Sequence, residues 1–149
     1  MSRPIKKGLS LSLIHIWGTF LSEPLSIVGL VGRYPANCLM AVSYTHLCHD
    51  LTGRVVVIDC VTLWGTNFFF DNQSDVELSL SLLKAEFDKL SRQDAYLIFV
   101  TNELGMGGVP IDEVQRKFTD MQGWLNQYIA SKADEVVLMV SGIPVKIKE

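Results

Sequence analysis

Two acidic residues follow apolar segments that have the composition of buried β-strands. Asp59 ends the β-branched run Val55–Ile58, and Glu103 comes shortly after Tyr96–Thr101. A run that is apolar on both faces is typical of a strand inside a parallel sheet covered by helices. Ligands bind at the carboxyl ends of such strands, where a carboxylate can hold magnesium directly or through water. Asp59 and Glu103 are therefore candidates for one shared metal or nucleotide site.

Both acids also have simpler interpretations. Asp59 fits equally well a strand that ends in a polar turn, because an apolar run followed by Asp is common. Glu103 could cap or pair locally within Asn102–Pro110, a loop whose glycines permit tight turns and close approach to a ligand. The glycine spacing of this loop does not match a dinucleotide-binding fingerprint. The residue types alone leave these alternatives open.

Two amphipathic helices are predicted between and after these strands. The capping box Ser74–Glu77 begins the first helix, and Asp112 is positioned to cap the second. Each helix has apolar residues at steps of three and four, and these steps predict one buried face. The apolar positions are Val76, Leu80, Leu83, Phe87 and Leu90 in the first helix and Val114, Phe118, Met121, Leu125 and Tyr128 in the second. Asn126 falls off the second stripe and is expected to face solvent, a partner subunit or the site.

The strands complete an alternating pattern. Glu135–Val140 is predicted as a third strand, and Val145–Lys148 alternates as an exposed edge strand does. From Arg54 the order is strand, helix, strand, helix, strand, strand. This order predicts an α/β fold whose sheet is mostly parallel, with flanking helices and an antiparallel edge. We expect Arg54–Cys60, Tyr96–Thr101 and Glu135–Val140 to be neighbouring strands.

The composition narrows the class of protein. The chain has 149 residues, 48% of them hydrophobic and 19% charged, which is typical of one globular domain. Its net charge of −3 gives no basic surface for nucleic acid or an anionic membrane. No apolar run reaches the roughly eighteen residues of a membrane span. The three cysteines lack a CxxC spacing, which favours a reducing, cytoplasmic setting.

Three motifs resemble one enzyme family in order and spacing. They are VVVIDCVTLWGTN, VTNELGMGGVP, and the ending with ADEVVLMVSGIPVKIK. They resemble bifunctional adenosylcobinamide kinase/adenosylcobinamide-phosphate guanylyltransferase, a family of cobalamin biosynthesis, over about His49 to Lys148. The resemblance implies a RecA-like P-loop NTPase fold and a homo-oligomer, often a trimer. It also implies two reactions: phosphorylation of adenosylcobinamide by GTP or ATP, then transfer of GMP from GTP onto that phosphate.

The same resemblance assigns roles to individual residues. Asp59 is expected to bind the nucleotide or its Mg²⁺, directly or through water, with Thr62 as a polar neighbour. Asn102 and Glu103 are expected to line the same edge of the sheet. In the family the second reaction passes through a guanylylated histidine. His46 lies before the central strand, but its neighbours do not match that segment, so no catalytic residue is assigned.

The resemblance also predicts two segments: residues 1–48 are expected not to match the family and residues 49–149 to be the carboxyl-terminal part of a P-loop transferase domain. A G-x-x-x-x-G-K-[ST] phosphate loop is absent from the sequence. LSLIHI and VSYTHL resemble translated sequencing-adapter DNA, so the segment is expected to be foreign, with Ser26–Val31 at best imitating a missing first strand. A divergent amino-terminal segment is the alternative. The chain is thus expected to be an amino-terminally incomplete, inactive fragment; a non-catalytic remnant or an unrelated P-loop-like ATPase are the other interpretations.

Overall fold

The structure is a computed structural model that describes residues 8–14, 38–41 and 51–149. Six strands in these residues form one sheet in the order β2-β3-β4-β1-β5-β6. Their bounds are β1 Gly8–Ile14, β2 Cys38–Ala41, β3 Val55–Asp59, β4 Tyr96–Asn102, β5 Glu135–Val140 and β6 Ile143–Lys148. Neighbouring strands are parallel except β5 and β6, which are antiparallel. The predicted α/β class, with a mostly parallel sheet and an antiparallel edge, is confirmed.

The first strand in the sequence lies inside the sheet. β1 pairs with β4 along its whole length, from Gly8 opposite Tyr96 to Ile14 opposite Asn102, and its other side pairs with β5. The prediction that β3, β4 and β5 are direct neighbours is right for β3 and β4. It is wrong for β5, because β1 separates β5 from β4. Ser26–Val31, the predicted substitute for a first strand, lies outside the described residues.

In the described ranges, three α-helices pack on one face of the sheet: α1 Val61–Asp71, α2 Val76–Ser91 and α3 Glu113–Lys132. Their inward side chains join alternate residues of β3, β4 and β5 in one hydrophobic core. The fully buried members from the helices are Val61, Phe69, Leu83, Phe87, Met121, Leu125 and Ile129. This confirms the predicted apolar stripes of α2 and α3, apart from Val114, which is 42% exposed.

Strand residues of the opposite parity form a second, smaller cluster. Val55 and Val57 of β3 lie beside Ile98 and Val100 of β4, and all four are buried. Val55–Ile58 are therefore buried on both faces, as the continuous apolar run predicted. The strand is consequently packed on both faces up to Asp59, its last residue.

The two predicted helix caps have different outcomes. Asp112 caps α3 by accepting a hydrogen bond from the Gln115 N–H at 2.9 Å, as predicted. In α2 the cap is Asp75 rather than Ser74, and its carboxylate accepts from the Leu78 N–H at 2.9 Å. Ser74 has a left-handed φ of 63°, whereas an N-cap residue needs the extended conformation that Asp75 has. The predicted capping box is therefore wrong by one residue.

Within the described part of the chain, no helix is long and apolar enough to cross a membrane.

Candidate functional site

The carboxyl ends of three strands meet at one edge of the sheet. Asp59, the last residue of β3, is level with Val100 of β4, and Asn102, the last residue of β4, is level with Ile14 at the end of β1. The strand order also reverses at β1, because β2, β3 and β4 lie on one side of it and β5 and β6 lie on the other. In open α/β sheets, ligands bind outside the carboxyl ends of strands at such a reversal. The fold thus places Asp59 and Asn102 where a ligand is expected.

Asp59 is half-buried, and burial raises the pKa of its carboxyl above the usual 3.8. No ion pair with Asp59 is formed by the described residues. A desolvated carboxylate without a positive partner is costly, and a bound cation would offset that cost. A single carboxylate is compatible with Mg²⁺, because the ion prefers oxygen ligands and commonly takes one or two carboxylates together with water and substrate phosphates. Asp59 is the residue that would hold it.

Thr62 connects α1 to the end of β4. Its Oγ1 accepts hydrogen bonds from both the backbone N–H and the side-chain Nδ2 of Asn102, each at 3.1 Å. A hydroxyl has two acceptor positions and one proton to donate. Both acceptor positions of Thr62 are therefore occupied, and no hydrogen bond from its hydroxyl to another described residue uses its proton. The Asn102 side-chain oxygen likewise accepts no hydrogen bond from the described residues.

A buried polar cluster supports this pair from α3. The Thr101 hydroxyl donates to Asn126 Oδ1 at 2.8 Å and accepts from Gln122 Nε2 at 2.9 Å, and Asn126 Nδ2 donates to the Asn102 carbonyl at 3.1 Å. Thr101 and Gln122 are fully buried and Asn126 is 4% exposed. Hydrogen bonds therefore run without interruption from α3 through the end of β4 to Thr62.

Gly65 allows α1 to approach this cluster closely. A Cβ on Gly65 would lie 2.9 Å from Gln122 Oε1, a distance that real Cβ atoms do not adopt. Gln122 Oε1 is itself buried without a hydrogen-bond partner among the described residues. A larger residue at position 65 would therefore displace α1 or the Gln122 side chain.

Asp59, Thr62 and Asn102 were candidates from the sequence, whereas Thr101 and Gln122 were not. Asn126 was expected to face solvent, a partner or the site, and the structure places it against the site. A stripe of apolar residues does not reveal buried polar groups. The sequence does contain one sign of the polar cluster: Gln122 and Asn126 lie four residues apart and so share one face of the helix.

Glu103 has a local role in the described residues. Its carboxylate accepts a hydrogen bond from the Gly105 N–H at 3.3 Å, beside the 3₁₀-helix Leu104–Gly107. This is the local capping role that the sequence left open. No group of three or more His, Cys, Asp and Glu side chains in the described ranges is arranged to hold a metal. A metal site shared by Asp59 and Glu103 therefore stays a prediction.

Replacing Thr101 by valine should lower the free energy of unfolding by about 1–3 kcal/mol. The change keeps the shape of the side chain but removes the hydroxyl to which Gln122 donates and from which Asn126 accepts, and unpaired buried polar groups carry a cost of this size. Urea denaturation measures the loss. The matched control is Thr119→Val on α3, outside the cluster, which should change stability by less than about 0.5 kcal/mol. Equal effects of the two variants would contradict an energetic role for the cluster.

Asp59→Asn should raise the melting temperature slightly at pH 7 in metal-free buffer. Burial raises the pKa of Asp59, so the folded state prefers the protonated acid. The contribution of the protonated acid to the free energy of unfolding is therefore lost as the pH rises through the raised pKa. The amide has no charge to desolvate. The gain should therefore shrink as the pH falls towards 3.8, the usual pKa of this acid. Thermal melts in EDTA test this, and a less stable variant at pH 7 would show that Asp59 has a compensating partner.

Comparison with known proteins decides the family. The model of the cobinamide kinase/cobinamide phosphate guanyltransferase family matches residues 39–147 of this chain. The chain belongs to this family. The match includes Asp59, Thr62, Asn102 and the polar cluster on α3. It begins ten residues before His49, where the sequence motifs set the start of the resemblance.

Curated relatives of this cobinamide kinase family agree. The bifunctional adenosylcobalamin biosynthesis protein CobP of Pseudomonas aeruginosa is 35% identical over 109 residues, 73% of this chain and 62% of the relative. CobU of Escherichia coli K12, which has the same descriptive name, is 41% identical over 64% of this chain and 59% of the relative. CobU of Salmonella typhimurium is 35% identical over 76% of this chain and 72% of the relative. The chain thus spans about three fifths of the first two relatives.

Proposed function

We propose that this chain contains the acidic and polar part of a nucleotide site from an adenosylcobinamide kinase/adenosylcobinamide-phosphate guanylyltransferase. The observation that carries the proposal is Asp59 at the end of a buried strand, with Thr62 and Asn102 hydrogen-bonded beside it. Family membership supplies the two reactions: phosphorylation of cobinamide by GTP or ATP, and transfer of GMP from GTP onto the new phosphate. Such an enzyme would act in the cytoplasm as a homo-oligomer.

The proposed fold is the RecA-like P-loop type. Two features support it. β1 lies inside the sheet, and the acidic residue Asp59 ends β3, which is separated from β1 by β4 alone. In P-loop proteins the phosphate loop joins the first strand to a helix, and its backbone N–H groups and lysine hold the phosphates. In this chain His15 and Ile16 follow β1, and no G-x-x-x-x-G-K-[ST] pattern occurs there. β1 would thus be the strand that precedes a phosphate loop in this fold, although the sequence pattern of that loop is absent.

The residues at the edge would act by positioning. Mg²⁺, when bound, neutralises charge on the phosphates during transfer. Asp59 would hold that ion, directly or through a water molecule. Thr62 would donate its remaining proton to a phosphate oxygen, and the Asn102 side-chain oxygen would accept from water or from the hydroxyl of the substrate. The cluster on α3 would keep Asn102 in place during both reactions.

The chain as it stands is proposed to be inactive. Phosphoryl and nucleotidyl transfer depend on fixing the phosphates and neutralising their charge. Asp59 without a phosphate loop adds negative charge where the phosphates would lie. Binding of GTP is therefore expected to be very weak, and neither reaction is expected.

The experiment that tests the function is a radiolabel assay on a chimera. A family member that has the phosphate loop and the histidine segment supplies its amino-terminal part in place of residues 1–48. Transfer of phosphate and of GMP to cobinamide supports the proposal. A folded chimera that transfers neither label contradicts it.

A further inference from the structure

A cavity of about 350 Å³ opens beside the candidate site, between α1, the 3₁₀-helix and the first half of α3. Its walls are mostly apolar and include Phe70, Leu104, Pro110, Val114 and Phe118. Thr66, Gln115 and Thr119 add uncharged polar groups, and none of the described residues that line the cavity is charged. The volume lies within the range of about 300–1,000 Å³ that is usual for small-molecule sites. The lining favours a ligand that is largely apolar but carries amide or hydroxyl groups.

The cavity is continuous with the site along two elements. Thr66 on its wall donates a hydrogen bond to the carbonyl of Thr62 at 2.8 Å, one turn earlier in α1. One helical turn rises about 5.4 Å. Leu104, on another wall, comes two residues after Asn102. A ligand in the cavity would therefore lie about one helical turn from the hydroxyl of Thr62.

The rim of the cavity exposes large apolar side chains on an anchored loop. Val109 is 86% exposed and Ile111 is 97% exposed, on either side of Pro110. The guanidinium of Arg116 donates to the carbonyl of Pro110 at 3.1 Å and also to that of Ile111. Exposed apolar groups that are grouped together in this way often mark a binding surface. This rim extends the apolar area beyond the cavity itself.

We propose that this cavity and its rim bind the apolar edge of the cobinamide macrocycle, an inference that rests on the proposed function. The macrocycle carries methyl and amide groups and is too large for the cavity alone, which matches a partly enclosed pocket with an extended apolar rim. Its hydroxyl-bearing arm would then reach past Thr66 to Thr62 and Asn102 at the carboxyl ends of β3 and β4. The nucleotide and the acceptor would thus occupy adjacent parts of one edge.

Equilibrium dialysis of the full chain against cobinamide tests this without the phosphate loop. The wild-type chain should bind, and two variants should each weaken binding about tenfold, the effect of losing or blocking one apolar contact. Phe70→Ala removes a wall residue that is 61% exposed, so the fold should tolerate the change. Gly107→Leu narrows the cavity from its wall, where a Cβ meets no atom within 4 Å. The matched control is Trp124→Ala, which removes an aromatic residue that is 49% exposed on α3 and outside the cavity.

Each outcome has a defined meaning once circular dichroism shows that the variants are folded. Weaker binding by both cavity variants and unchanged binding by Trp124→Ala support the site. Wild-type affinity in both cavity variants overturns it while leaving the proposed function intact. No binding by the wild-type chain also overturns it, and label transfer by the chimera then reports separately on the function.

Discussion

Replacing residues 1–48 by the amino-terminal segment of a family member should raise both transfer rates at least about 10³-fold above those of the unmodified chain. Loss of a single preorganised hydrogen-bond donor costs an enzyme about 10²–10³ in rate, and a phosphate loop supplies several donors and a lysine. The replacement also supplies the histidine segment that GMP transfer requires. The measurement is the initial rate of label transfer to cobinamide from GTP labelled on the γ- or the α-phosphate.

The parent family member is the positive control for this experiment, and a chimera with its phosphate-loop lysine changed to alanine is the negative control. The graft must provide strands equivalent to β1 and β2, since both belong to the described sheet. Measurable GMP transfer by the unmodified chain would show that its own amino-terminal residues hold the phosphates. The proposal of inactivity would then be wrong.

In the active chimera, Asp59→Asn should lower both rates by about 10²–10³-fold with the fold retained. The amide is nearly the same size as the carboxylate, but it lacks the negative charge that would hold Mg²⁺. The described residues form no ion pair with Asp59, so no other charged group loses a partner. A defect in metal binding should be partly relieved by raising the Mg²⁺ concentration, because occupancy follows mass action. The measurement is the rate of each transfer as a function of Mg²⁺ concentration.

Asp94→Asn provides the matched control for that experiment. Asp94 is exposed and precedes β4, at the end of the sheet opposite to Asp59. The same chemical change there should leave both rates within about twofold, as expected for a surface position away from the site. Similar losses in the two variants would mean that general charge, rather than a specific ion site, controls the rate.

The sequence was most informative where burial is encoded locally. The run Val55–Ile58 is apolar at every position, so both its strand character and its burial on two faces follow from four consecutive residues. Asp59 and Asn102 were named as candidates because strand ends are the ligand side of a parallel sheet, and the structure places both at strand ends. Asp112 was also predictable, since one acid stands directly before a helix with regular apolar spacing.

Features that depend on distant partners were not predictable in the same way. The position of β1 between β4 and β5 depends on pairing with segments far along the chain, which no local pattern contains. Ser74 and Asp75 are both good capping residues, and only the left-handed backbone at Ser74 decides between them. Gln122 and Asn126 are buried because Thr101 faces them across the interface between α3 and the sheet.

The central position of β1 has a consequence for the order of events during synthesis. Leu9 leaves the ribosome early, but its partner Leu97 follows much later, and Glu135, the partner of Ser10, later still. β1 must therefore wait unpaired on both sides while most of the chain is made, although strands with unpaired edges are prone to aggregate. Until it is inserted, β5 and β6 have no hydrogen-bonded link to the other half of the sheet. Closing the sheet is thus a late, long-range step, of the kind that makes folding slow.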